Sequence, residues 1–131
     1  STASAFAHES YAETFLKCQR YYHVLVDSRI HENTYWHEAY YYVAGMIQLI
    51  GRFSPEMRAT PSATVSSGTD YYRFYRNGTY DGIDDFILAH TSKNSYRLYN
   101  STDASGTAGH AGAFYLHASG VFKLIAFDAE L

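Results

Sequence analysis

The sequence predicts an all-β fold, a β-sandwich of jelly-roll type with about eight antiparallel strands. Short apolar or alternating runs recur along the chain at nearly regular spacing, and clusters of turn-forming residues separate them. Helix signals are confined to one short segment near the N terminus. With 131 residues, the chain is predicted to form a single domain, because a chain of this length buries roughly two-thirds of its unfolded surface.

The N-terminal segment His8–Phe15 has the signals of a short helix. Ser10 is a suitable N-cap, and Glu13 stands three residues later as its capping-box partner. We interpret residues 1–15 as a helical lead-in from a longer parent chain. The first strand is predicted at Leu16–Val26. Two-residue spacing assigns its core-facing side to Leu16, Cys18, Tyr22 and Val24.

A polar stretch, Asp27–Thr34, interrupts the pattern, and a second long strand is predicted at Ala39–Phe53. Both prolines lie in the next connection, Ser54–Pro61. The remaining predicted strands are Ser62–Ser66, Tyr71–Arg76, Ile83–His90, Ser95–Asn100, Ala113–His117 and Val121–Phe127. The sharpest turn signal is Asn77-Gly78, because both residues tolerate the positive φ that a tight hairpin requires.

Composition excludes several classes of function. The net charge of -3 does not indicate general affinity for nucleic acid or for an anionic membrane surface. No apolar run approaches the ~18 residues of a membrane span. A single cysteine precludes an intrachain disulfide, so packing or assembly must supply the stability. Cys18 itself is predicted to be a small buried side chain.

The histidines and carboxylates do not form a recognisable catalytic or metal motif. His31 and His37, with Glu32 and Glu38 beside them, have the chemistry of a zinc site, but their spacing matches no compact zinc pattern. A glycosidase needs two carboxylates across a cleft, and the sequence does not place any two of them so. We therefore predict no metal, no cofactor and no catalytic residue.

Aromatic residues are the feature that points to a site. They make up 18% of the chain and include 14 tyrosines. Where two are consecutive in a strand, one ring must point away from the core. The outward rings predict either a surface that stacks on sugars or a subunit interface, and both interpretations stay open. The predicted ligand-binding residues are Tyr35, Trp36 and His37 from the first loop and Tyr72, Arg73, Tyr75 and Arg76 from the second aromatic region.

Four segments, in order along the chain, resemble the C-terminal receptor-binding head domains of bacteriophage tail fibres, tailspikes and related virion proteins. Cys18-Gln19-Arg20-Tyr21-Tyr22 resembles their LCQRYY opening, and Phe53–Pro61 is similar to an F-P-x-x-MRA-x-P segment. Here Ser54 displaces the first proline by one position. Thr107–Ala111 is similar to a TAGQA element, and Phe127–Leu131 ends in the same DAEL.

The resemblance implies a β-sandwich at the distal end of a virion appendage. Its implied partners are a bacterial surface polysaccharide, two further copies in a homotrimer and the rest of the tail-fibre chain, with no nucleic acid and no membrane insertion. We therefore expect a non-catalytic receptor-binding domain located on the virion. A structural trimerisation or capping head is the main alternative, and a polysaccharide depolymerase is the second.

Overall fold

The computed structural model describes residues 10–129 and shows an all-β sandwich with two short helices. The predicted fold class is confirmed, with ten described strands where the sequence predicts about eight. The helices are α1 (Tyr11–Gln19) and α2 (Ser28–His31). The strands are β1 (Tyr22–Asp27), β2 (Thr34–Val43), β3 (Met46–Arg52), β4 (Ser62–Val65), β5 (Tyr72–Arg76), β6 (Thr79–Ile83), β7 (Ile87–Leu88), β8 (Ser95–Asn100), β9 (Ala111–Leu116) and β10 (Leu124–Asp128).

The strands form two antiparallel sheets. One has three strands in the order β1-β10-β4, and the other has seven in the order β6-β5-β9-β2-β3-β8-β7. A single hydrophobic core lies between them, to which the small sheet contributes Val26, Ile125 and Phe127. Large fully buried side chains of the seven-stranded sheet face it: Tyr41, Ile47, Leu49, Tyr72, Phe74, Leu98, Phe114 and Leu116. The other face of the large sheet faces outward.

The prediction that a strand begins at Leu16 is wrong, because α1 continues to Gln19. The Ser10 side chain accepts a hydrogen bond from the Glu13 amide, as predicted. Leu, Lys and Gln, which follow the predicted helix end, all favour helix, so the helix extends through Cys18. Cys18 is exposed rather than buried. Leu16, Tyr22 and Val24 are exposed too, so the predicted core face is also wrong. Residues 8 and 9 of the predicted helix lie outside the described residues, as do Glu130 and Leu131 of the terminal motif.

Two other predicted strands are divided in the structure. Ala39–Phe53 contains the β2–β3 hairpin, which turns at Ala44-Gly45. Ile83–His90 contains only the end of β6 and the two residues of β7. The predicted Asn77-Gly78 turn is confirmed: both residues have positive φ, 50° and 74°, and they join β5 to β6.

None of the helices in residues 10–129 is long and apolar enough to cross a membrane.

Burial of His23 predicts a pH-dependent stability. Its ring packs against Phe53 and Phe127, with centroids 5.7 and 6.3 Å away, and burial lowers the pKa of His23 below its ordinary value. As the pH falls, the unfolded chain therefore takes up the proton first, and the folded state loses stability. We expect His23→Phe to gain free energy of unfolding relative to the native protein between about pH 7.5 and about pH 5. Urea unfolding at both pH values measures this, and a constant difference would contradict it.

Candidate functional site

A bulge in β2 decides where the first group of predicted site residues points. Tyr35 pairs with Tyr115 of β9, but the next partners are His37 and Phe114, so Trp36 is an extra residue in its strand. Tyr35 therefore faces outward with Tyr115, whereas His37 lies on the core side with Phe114. The prediction that these residues lie in a loop is wrong. The Asn33 amide already donates to the Leu116 carbonyl, so the sheet ladder begins at once.

Trp36 belongs to the core rather than to a binding loop. Its ring stacks on Phe114 at 5.3 Å and meets Tyr72 and Phe86 edge-on at 5.9 and 6.0 Å. Its buried Nε1 has no hydrogen-bond partner among the described residues. Tyr72 has no exposed surface. Trp36 and Tyr72 are therefore not part of the contact surface; they belong to the core that supports the large sheet.

His37 is held by the protein itself. Its Nδ1 donates to the Glu38 carbonyl, which leaves Nε2 to accept a hydrogen bond from the Tyr96 hydroxyl at 3.1 Å. Burial raises the pKa of Tyr96 to about 12, so this hydroxyl stays a donor at neutral pH. His37 thus joins β2 to β8 and has a structural role here.

The outer face of the large sheet carries four clustered rings, which we call the tyrosine platform: Tyr35, Tyr75, Tyr80 and Tyr115. Tyr115 lies 5.1 Å from Tyr35 and 5.5 Å from Tyr75, measured between ring centroids, and Tyr80 lies 5.5 Å from Tyr75. The guanidinium of Arg73 lies over Tyr80, with Cζ 4.5 Å from the centroid. Edge-to-face and cation–π contacts of this kind hold the rings in one arrangement.

The platform is accessible in the chain. Tyr35 is 61% exposed and Tyr80 is 46% exposed, so both rings offer apolar surface to solvent. Arg73 is half-buried, and its Nε has no hydrogen-bond partner within residues 10–129. A rigid apolar floor with a guanidinium at its edge can pack against an apolar ligand face and donate hydrogen bonds beside it.

Arg76, the last of the predicted residues, lies away from the platform. Its Cζ is 4.8 Å from the centroid of Tyr41, and Nη1 lies 3.4 Å from His110 Nδ1. The structure therefore brings together Tyr35, Arg73 and Tyr75, and it places the other predicted residues in the core or at the edge of the sheet.

Sequence reasoning did not select Tyr80 or Tyr115. The signal for Tyr80 was present, because the Asn77-Gly78 turn requires a strand beginning at Thr79. Alternation along β5 places Tyr75 on the outward face, and the register of the hairpin places Tyr80 directly opposite Tyr75. Tyr115 needed knowledge of strand order, since β9 pairs with β2 and β5 across long sequence separations.

Metal binding is not suggested by the geometry. Within the part of the chain that the structure describes, no three His, Cys, Asp or Glu side chains are grouped to hold a metal ion. His31 accepts a hydrogen bond through Nδ1 from the Asp27 amide at 2.9 Å, so this ring nitrogen is already used inside the fold.

The loop beside the β5–β6 hairpin is organised by Asn100, which is 1% exposed. Its Oδ1 accepts hydrogen bonds from the amides of Thr102, Asp103 and Ala104. Its Nδ2 donates to the Asp103 carboxylate at 2.8 Å and to the Asp85 carbonyl at 3.0 Å. The side-chain amide of one buried residue thus provides hydrogen-bond partners for three backbone amides of the turn after β8.

We expect Asn100→Ala to lower the free energy of unfolding by about 3 kcal/mol, because several buried donors and acceptors lose their partner together. Urea unfolding measures the loss. Asn94→Ala is the control, since Asn94 is exposed and its side chain has no hydrogen bond to the described residues. Equal stability of the two variants would contradict the role of Asn100.

Comparison with models of known protein families, with characterised proteins and with solved structures finds no match to this chain. The likeness to virion head domains therefore stays a prediction from four short segments, and functional inference rests on the geometry of the site.

Proposed function

We propose that this chain is a non-catalytic receptor-binding domain at the tip of a phage tail fibre or spike, which recognises a bacterial surface glycan through the tyrosine platform. The platform is the observation that carries the proposal, because four rings and a guanidinium share one exposed sheet face. The virion setting comes from the motif resemblance alone. The proposal that the receptor is a glycan comes from the chemistry of the platform.

The C–H faces of pyranose rings are apolar and pack against tyrosine rings. The sugar hydroxyls at the edge of such a stack need hydrogen-bond partners, and Arg73 provides guanidinium donors there. Because the platform is an exposed face of a sheet, each site is expected to bind weakly. A homotrimer would present three sites to one polymer, and linked weak sites give a much higher overall affinity.

Tyr35→Ala tests the proposal, and Tyr42→Ala is its matched control. Both tyrosines belong to β2 and both are 61% exposed, but Tyr42 lies outside the platform. We expect Tyr35→Ala to weaken binding to host cells or polysaccharide about tenfold or more, since stacked rings contribute about 1 kcal/mol beyond the buried area itself. Tyr42→Ala should bind as the native chain does.

Equal binding by the native chain and Tyr35→Ala would refute the platform as the receptor site. The comparison is made on samples with the same oligomer mass and the same urea midpoint, so that loss of assembly is not mistaken for loss of contact.

A structural trimerisation or capping head is the second candidate, and α1 is the observation that favours it. This helix has no buried residue, and Tyr11, Phe15 and Leu16 are 85%, 50% and 49% exposed. Short helices are marginal without packing, so a second copy would supply what the chain lacks. If the correctly assembled domain labels no host cells, this candidate replaces the first.

A further inference from the structure

A polar cleft of about 290 Å³ opens beside the tyrosine platform, at the β5–β6 hairpin. Its lining residues are Arg76, Thr79, Tyr80, Asp81 and Ser105. Tyr80 belongs to both features, because its ring also lies 5.5 Å from Tyr75 on the platform. The two features meet at the edge strand β6, where successive residues face opposite ways: Tyr80 pairs with the outward Tyr75, and Asp81 pairs with the buried Phe74.

The carboxylate of Asp81 is fixed on one side only. Its Oδ2 accepts hydrogen bonds from the Tyr41 hydroxyl at 2.8 Å and from the Ser105 amide at 2.9 Å. Its Oδ1 accepts none from the described residues. The group is thus rigid and keeps one acceptor for another molecule.

Arg76 also keeps donors for another molecule, although its Nη1 lies 3.4 Å from His110 Nδ1. Its guanidinium lies over Tyr41, and its Nε is buried without a hydrogen-bond partner among the described residues. No ion pair joins it to Asp81 within residues 10–129, although both side chains contact Tyr41 and line the same cleft. An acceptor and a cationic donor are therefore held near each other but unpaired.

We propose that this cleft binds one neutral hexose unit of the glycan through two adjacent hydroxyl groups. Asp81 Oδ1 accepts a hydrogen bond from one hydroxyl, Arg76 donates a hydrogen bond to the neighbouring oxygen, and Tyr80 borders the bound sugar. A neutral sugar fits because its hydroxyls can donate to Asp81 and accept from Arg76, whereas the carboxylate of a uronic acid could engage only Arg76 and would be repelled by Asp81. The volume is at the lower end of ligand pockets, which suits one sugar ring. The inference rests on the proposed function for the polymer to which this sugar belongs.

Nitrogen-15 NMR titration of the chain tests the cleft directly. The probes are the methyl glycosides of glucose, mannose and galactose, with methyl glucuronide as the charged comparison. We expect at least one neutral glycoside to shift the amides of residues 76–81 and Ser105 and to leave those around Tyr99 unchanged. Tyr99 lies on β8, is not among the residues that line the cleft, and has the guanidinium of Arg97 over its ring, with Cζ 4.5 Å from the centroid. Absence of shifts in the cleft for all three, or tighter binding of the glucuronide, would overturn the proposal.

Two variants of residues that line the cleft test the binding site. Arg76→Gln should weaken the neutral glycoside about tenfold, and Thr79→Val, which removes only an exposed hydroxyl, about threefold. Tyr99→Leu is the control and should bind as the native chain does. If both cleft variants bind the glycoside as tightly as the native chain does, the site is elsewhere.

The titration also separates this inference from the proposed function. A silent cleft together with loss of cell binding in Tyr35→Ala would leave the receptor role standing and reject the hexose site. Hexose binding in the cleft together with full cell binding by Tyr35→Ala would support the hexose site and reject the tyrosine platform as the receptor site.

Discussion

Trp36→Ala is expected to lower the free energy of unfolding by about 3 to 5 kcal/mol, the usual cost of deleting a large aromatic ring from a core. The ring is stacked on Phe114 and bordered by Tyr72 and Phe86, so its removal leaves a cavity between β2 and the strands beside it. Any loss of receptor binding in this variant would follow from unfolding. Urea unfolding, followed by circular dichroism, measures the effect.

Trp36→Phe is the matched control. It keeps a ring in the stack and removes the buried Nε1 that has no partner in the described chain. Its cost should be about 1 kcal/mol. If Trp36→Ala unfolds at the same urea concentration as the native protein but no longer binds cells, the indole is a ligand contact and the core assignment is wrong.

Arg73→Glu is expected to reduce glycan binding about 100-fold, the largest effect on binding that we predict. The change removes the guanidinium donors and places a negative charge over the face of Tyr80, which is itself electron-rich. It also adds an unpaired carboxylate to a surface that must be desolvated by the ligand. Fluorescence titration with the host polysaccharide measures the loss.

Arg97→Glu provides a closely matched comparison. Arg97 is also half-buried on the large sheet, and its Cζ is also 4.5 Å from a tyrosine centroid, that of Tyr99. It lies on β8, away from the platform, and donates to Gln48. Its variant should keep native affinity. Similar losses in the two variants would point to overall charge rather than to the platform.

The sequence predicted the strands that stand alone between clear turns. Ser95–Asn100 is β8 as predicted, and the Asn77-Gly78 hairpin has the expected backbone. The start of β1 was not predictable from alternation, because apolar residues at Leu16 and Cys18 fit a strand and a helix about equally. The capping signal at Ser10 indicated a helix but not where it ends.

The residues of the site were predictable only where strand alternation determines which face of the sheet a side chain is on. Arg73 and Tyr75 flank the buried Phe74, so one face had to carry both. Trp36 was misjudged because it was assigned to a loop before a strand predicted to begin at Ala39, whereas β2 begins at Thr34. The bulge in β2 then turns the indole to the core, and a bulge depends on the partner strand rather than on local sequence. Tyr115 joins the platform through pairing that only the folded sheet reveals, whereas the Asn77-Gly78 turn already indicates the place of Tyr80.

Glycan-array binding by the assembled chain, run beside a mass measurement of its oligomer, tests the central claim most directly. We expect the native chain to bind a bacterial polysaccharide, and Tyr35→Ala to lose that binding with its mass unchanged. A native oligomer that binds no glycan would contradict the receptor role, and a Tyr35→Ala variant that falls apart into smaller species would show that the tyrosine platform is a subunit interface instead.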